Sequence, residues 1–121
     1  MDNVTVEGDF GDKPTLAFAD SVAPGELVVE VLQEGSGPVV EAGETILCNY
    51  LGQVWDGNVF DNSYDRGQPL EFQVGVGMVI AGWDQGLVGQ RVGSRILLSI
   101  PSDLGYGDRG VPQAGIRGGD T

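Results

Sequence analysis

A chain interrupted this often by glycine cannot build long helices: 21 of its 121 residues are Gly. Glycine loses more backbone freedom on folding than any other residue, so it weakens helix and strand interiors and favours turns. Short β-prone runs lie between the glycines. Leu27–Leu32 reads as a strand ended by Glu34-Gly-Ser-Gly37. Thr45–Leu51 alternates, with Ile46, Cys48 and Tyr50 on one face and Thr45, Leu47 and Asn49 on the other. Asp56-Gly57 marks a tight turn into Val59-Phe60. Leu70, Phe72 and Val74 alternate against Glu71 and Gln73, and Ile96, Leu98 and Ile100 against Arg95, Leu97 and Ser99. The period of two predicts half-buried strands in both places.

One helix is predicted, over Val79–Val88, where Ile80, Trp83 and Leu87 fall on a single apolar stripe. Gly82 and Gly86 weaken it, so its stability must come from packing. Gly105–Gly119 reads as loop. The apolar share of 40% supports a modest core in one domain. These elements sum to an α+β domain at residues 27–121: four or five antiparallel strands with one short helix on a packed face. Residues 1–26 differ and read as an extended N-terminal arm. In it, Val4–Val6 and Thr15–Phe18 are short β-prone runs, closed by the Ala23-Pro24-Gly25 turn.

Composition narrows the chemistry. The net charge is −12 and Lys13 is the sole lysine, a field that repels phosphate backbones and anionic lipid heads. No nucleic-acid partner and no membrane insertion are expected, since no window approaches the ~20 apolar residues of a spanning helix. There is no histidine, which removes Ser-His-Asp and Cys-His nucleophilic systems and imidazole zinc sites. The lone Cys48 cannot form an internal disulfide. No charged segment followed by an apolar run opens the chain. The default expectation is a soluble cytoplasmic protein, with a fragment of an exported protein as the alternative.

Two loops invite a ligand and fail on spacing. Gly75-Val-Gly77 has Ile80 where the third glycine of a dinucleotide fingerprint belongs, and no βαβ unit surrounds it. Asp56-x-Asn58 lacks the glycine and distal glutamate of a calcium loop, carrying Asp61 and Gly67 there. No cofactor and no metal are expected. What remains is an aromatic and aliphatic set: Tyr50, Phe60, Asp61, Leu70, Phe72, Val79, Ile80, Trp83, Tyr106 and Ile116. Phe72 reads as core. Tyr50, Asp61 and Tyr106 have polar ends that need partners when buried, and Phe60-Asp61 and Tyr106 stand at strand ends and in loops, where sites collect.

Several fragments occur in order: Tyr50-x-Gly52, Asp56-Gly57, Phe60-Asp-Asn-Ser63, Gly67-Gln-Pro69, Val79-Ile80-Ala-Gly-Trp83-Asp-Gln-Gly86, Val92-Gly93 and Gly105-Tyr-Gly107. Together they resemble the FKBP-type peptidyl-prolyl cis-trans isomerases, over about Leu27–Thr121. The resemblance implies an antiparallel half-barrel sheet wrapped around one short helix, with an apolar pocket between them. It implies catalytic roles for Asp61, Tyr106, Phe60 and Trp83: a rim carboxylate, a hydroxyl donor, a wall and the pocket floor. Tyr50, Leu70, Val79, Ile80 and Ile116 become substrate-binding residues, and the Ile80 N–H binds a ligand carbonyl. Arg66 matches the position that pairs with Asp61.

The implied activity is rotation of X-Pro bonds in proline-containing polypeptides, with macrolides as inhibitors of the same pocket. Three departures qualify it. Leu70 stands where many members carry an aromatic, and Val111 replaces a polar or aromatic lip residue. The chain also stops at Gly119-Asp-Thr121, where the family continues into a last strand. Without that strand a sheet exposes unpaired backbone. The candidate sources are the Val4–Val6 or Thr15–Phe18 arm, another chain, or removal of the strand from this polypeptide. A non-catalytic module that binds proline segments or acts as a chaperone is the competing function, to be separated from the enzyme by an isomerisation assay.

Overall fold

Each of the three alternating runs becomes a paired strand over part of its length. A computed structural model describes residues 3–121 and contains eight strands, two short α-helices and two 3₁₀ turns. The strands are β1 (Val4–Glu7), β2 (Thr15–Phe18), β3 (Val28–Gln33), β4 (Thr45–Cys48), β5 (Leu51–Gln53), β6 (Val59–Asn62), β7 (Leu70–Gln73) and β8 (Arg95–Ser99). They form four antiparallel pairs: β1–β2, β3–β8, β4–β7 and β5–β6. Six strands, β3 to β8, lie in residues 27–121, more than the four or five expected there, because Thr45–Leu51 is not one strand but two, broken at Asn49–Tyr50. At the break, both main-chain groups of Tyr50 are bound by Ser63 across the fold.

The core gathers on one face of β4 and β7. Val40, Phe72 and Val74 are buried, and Ile46, Cys48, Leu70, Val79, Trp83 and Leu87 pack against them. Phe72 is therefore core, as its alternation implied. Leu47, on the opposite face of β4, is 67% exposed, which confirms the register of that strand.

Helix α2 spans Ala81–Leu87, shorter at both ends than the predicted Val79–Val88. Its two interior glycines cost helix propensity and return close packing. A Cβ at Gly82 would lie 2.5 Å from Ile100 Cγ2, and one at Gly86 would lie 2.7 Å from Leu98 Cδ2. Only hydrogen at these positions lets the helix lie directly on β8 and the residue after it. Gly82→Ala is expected to destabilise the fold by about 1–3 kcal/mol through overpacking, despite alanine's better helix propensity. A urea midpoint unchanged or raised in that variant would contradict the packing account.

Helix α1 (Ser63–Arg66) was not anticipated. Asn62 caps it by accepting from Asp65 N at 2.8 Å, and Gly67 ends it at φ 68°, a conformation that favours glycine. The Gly105–Gly119 segment is also more ordered than a loop. A 3₁₀ turn at Pro112–Ala114 closes a bridge between Val111 and Ile116.

The arm folds back as a hairpin rather than running extended. Phe18 packs on Trp55 with ring centroids 5.0 Å apart, and Trp55 Nε1 donates to Asp20 O at 2.9 Å. Lys13 pairs with Asp65 at 3.0 Å, and Arg95 Nη1 donates to Gly8 O at 2.7 Å. The hairpin does not extend any of the other three strand pairs. β1 and β2 pair with each other, and among the described residues no ladder joins them to β5 or β8. A cavity of about 580 Å³ runs from beneath the hairpin, between the Leu47–Trp55 and Gly93–Ile100 segments, to the face of α2.

Candidate active site

The α2 end of that cavity brings the sequence-derived candidates together. Tyr50, Phe60, Asp61, Leu70, Val79, Ile80, Trp83, Tyr106 and Ile116 all line it. Trp83 is half-buried, with its indole 5.5 Å from the Phe72 ring on the core side and 5.1 Å from the Tyr50 ring, edge-on at 75°. Such edge contacts match ring quadrupoles and hold both rings in place. Val79 packs on the same core cluster, and Ile116 is buried at 3% exposure. Leu70 opens β7 opposite Cys48.

Phe60 and Tyr106 form a second aromatic pair, 5.9 Å apart at 89°. The Phe60 ring sits over Gly52, where a Cβ would lie 2.8 Å from Cζ. Tyr106 is 38% exposed, and its hydroxyl makes no hydrogen bond among the described residues. The Ile80 N–H, just ahead of α2, likewise has no acceptor among them. Two donors are thus unclaimed on a largely apolar wall.

The rim is a closed polar triangle. The Tyr50 hydroxyl donates to Asp61 Oδ2. Arg66 Nη1 donates to Asp61 Oδ1 at 2.6 Å, and its Nη2 donates to the Tyr50 oxygen at 2.9 Å. The hydrogen bond from Tyr50, with the Arg66 guanidinium beside it, holds the Asp61 carboxyl below the ordinary carboxylate range. Burial pushes the Tyr50 phenol up, and its bond to Asp61 adds to the shift. Burial also raises Tyr106, with the Asp61 charge contributing. Arg66, expected to pair with Asp61, does so because α1 starts immediately after β6 and brings residue 66 back over residue 61.

Three contributors escaped the sequence reading. Asn62 and Ser63, both buried, build the cap and first turn of α1. The run Asn62-Ser-Tyr-Asp65 ahead of Gly67 is a helix-start and helix-stop pattern that would have revealed them. Asp84 is the third. Its carboxylate accepts from Gly75 N at 2.7 Å and Gly77 N at 2.9 Å. The Gly75-Val-Gly77 turn is thus an anion cradle filled by the chain's own side chain, and it fixes the loop that carries Val79 and Ile80. Among the described residues, no group of three or more His, Cys, Asp or Glu is arranged to hold a metal ion. No helix among them is long and apolar enough to cross a membrane.

The antiparallel strand pairs and the short helix leave a cavity lined by an indole and two unclaimed donors, an arrangement that can accommodate an apolar segment carrying a carbonyl. The FKBP-type peptidyl-prolyl cis-trans isomerase family model matches residues 37–121. The FK506-binding protein of Streptomyces anulatus is 45% identical over 111 residues, covering 91% of this chain and 90% of that protein. The chain is 54% identical to peptidyl-prolyl cis-trans isomerase FKBP15-1 of Arabidopsis thaliana over 79 residues, or 65% of this chain, and spans about half of that relative, 51%. The crystal structure of AtFKBP13 superposes with a TM-score of 0.72 at 40% identity, covering 83% of this chain and 88% of that one. The chain belongs to the FKBP-type peptidyl-prolyl cis-trans isomerase family, and its enzymatic class is that of a prolyl isomerase.

Proposed function

We propose that the cavity in front of Trp83 accepts the proline ring of an X-Pro segment and lowers the barrier to rotation of its imide bond. Rotation breaks no σ bond; it costs the amide resonance, about 20 kcal/mol. In the twisted state the carbonyl oxygen carries less negative charge and depends less on water. An apolar, aromatic wall therefore binds the twisted form better than the planar one, and differential binding of this kind is catalysis. A ~10⁵-fold acceleration requires only about 7 kcal/mol.

Each candidate has a part in this reading. Trp83 is the floor, Phe60, Leu70, Val79 and Ile116 are walls, and the Ile80 N–H binds a backbone carbonyl of the substrate. Tyr106 offers its hydroxyl at the lip. Tyr50 faces the substrate with its ring and, with Arg66, holds Asp61 in a fixed rim. There Asp61 does not act as a base, because both its oxygens are engaged and its carboxyl is a weaker base than usual. Residues 27–121 carry the site, and the hairpin of Val4–Glu7 and Thr15–Phe18 lies beside it. Proline-containing polypeptides are the substrates, and macrolides of the FK506 type would compete for the same space. The supporting observation is the half-buried indole of Trp83, held between Phe72 and Tyr50 beneath an open cavity. The test is the cis-trans relaxation of a short X-Pro peptide with and without FK506. Acceleration abolished by the macrolide supports the reading, and acceleration unaffected by it removes the pocket from the account.

The rim also sets a pH profile. Asp61 is held below its usual range and both rim tyrosines above theirs, so no site group changes charge near neutrality. Activity is expected to be flat from about pH 6 to pH 8. The Asp61 contribution is present above the unfolded carboxylate range and is lost as pH falls through the lowered folded value. The Tyr50 contribution is present below the unfolded tyrosine range and is lost as pH rises through the raised folded value. A bell-shaped profile centred near neutrality would contradict this assignment.

A further inference from the structure

Tyr50 holds the rim together, yet it sits at the point where its own strand is broken. Its ring edge meets Trp83, its hydroxyl meets Asp61 and Arg66, and neither β4 nor β5 includes it. Its main chain is held from elsewhere. Tyr50 N donates to Ser63 Oγ at 2.8 Å, and Ser63 N donates to Tyr50 O at 2.9 Å. Ser63 Oγ donates in turn to Asn49 Oδ1 at 3.1 Å, which turns the hydroxyl lone pairs toward the Tyr50 amide. Ser63 is fully buried at 0% exposure, so water cannot replace these bonds.

From this we infer that Ser63 is a positioning residue for the prolyl pocket. It touches no substrate; it fixes the main chain of Tyr50 and thereby aims the phenol at Asp61, Arg66 and Trp83. Alanine at 63 would keep the backbone bond and lose the hydroxyl, leaving the Tyr50 amide unpaired inside the protein. The phenol would then sample directions in which the triangle is open. The inference rests on the proposed role of Tyr50 in the rim, and the test separates the two.

The experiment is a double-mutant cycle on the full chain, read as kcat/KM with an X-Pro peptide, with circular dichroism confirming the folded state of each variant. Ser63→Ala alone is expected to lower kcat/KM about tenfold, the worth of one buried hydrogen bond expressed in the transition state. Tyr50→Leu removes ring edge and hydroxyl together. On that background Ser63→Ala is expected to cost less than about twofold, because it acts only through a side chain already gone. An equal loss on both backgrounds would show a general structural role and overturn the proposal, as would no loss in the single variant. If Tyr50→Leu itself leaves kcat/KM unchanged, the rim reading fails first and the Ser63 proposal falls with it. Should Ser63→Ala not fold, Asn49→Ala serves instead. It frees the Ser63 hydroxyl from its acceptor and is expected to cost about threefold alone and nothing beside Tyr50→Leu. Additivity there overturns the proposal equally.

Discussion

Trp83→Ala is expected to lower kcat/KM by about a hundredfold or more and to destabilise the fold by roughly 3 kcal/mol. Both effects follow from one position. The indole packs on Phe72 and the buried cluster beneath it, so truncation opens a void on the core side of α2. Its other side meets Tyr50 and lines the cavity, so the same truncation removes the surface on which a proline ring would lie. Trp83→Leu separates the two. Leucine refills much of the volume against Phe72, and the stability loss is expected to shrink to about 1–2 kcal/mol. It restores only part of the apolar floor, so activity should recover in part. Urea denaturation and an X-Pro isomerisation assay on the same preparations give both numbers. A folded Trp83→Ala protein with undiminished kcat/KM would show that the indole is not the floor of the reaction site.

What the sequence made legible were features that repeat locally. The alternation through Ile46, Cys48 and Tyr50 and through Leu70 and Phe72 marks the inward faces of β4 and β7, and Phe72 lies in the core. The break within the first of these was hidden, because it depends on Ser63, 13 residues further along. No period of two reports a partner that distant. Gly82 and Gly86 were read for their helix propensity, which is a local quantity. Their role is tertiary: they let α2 lie against Ile100 and Leu98. Gly75-Val-Gly77 looked like an anion loop without an anion, and the anion is Asp84, placed by the helix that follows. The hairpin strands were visible as β-prone runs, but nothing local showed that they would pair with each other. Of the rim triangle only the Asp61–Arg66 pair was anticipated, and only through the resemblance, since no spacing rule joins residues 50, 61 and 66. The geometry supplies the missing reason: a four-residue helix that begins as soon as β6 ends.

The second large effect is a contrast between two rings that touch. Phe60→Ala is expected to reduce kcat/KM roughly thirtyfold or more, whereas Tyr106→Phe should cost only about two- to tenfold. The difference lies in what each change removes. Phe60 is seated over the backbone of Gly52, with no room for a side chain beneath it, and forms a wall of the cavity. Losing the ring lets water reach the place where the imide would twist, and the preference for the twisted form falls with the apolar surface that produced it. Tyr106 keeps its ring in the phenylalanine variant, and with it the edge contact to Phe60. Only a hydroxyl at the half-open lip is lost, which is one hydrogen bond in competition with water. The ordering therefore tests where catalysis originates. If desolvation by the aromatic wall dominates, the wall variant is much the slower. Equal losses would mean that the lip hydroxyl contributes as much as the wall, and a larger loss for Tyr106→Phe would move the chemistry from the floor of the pocket to its rim.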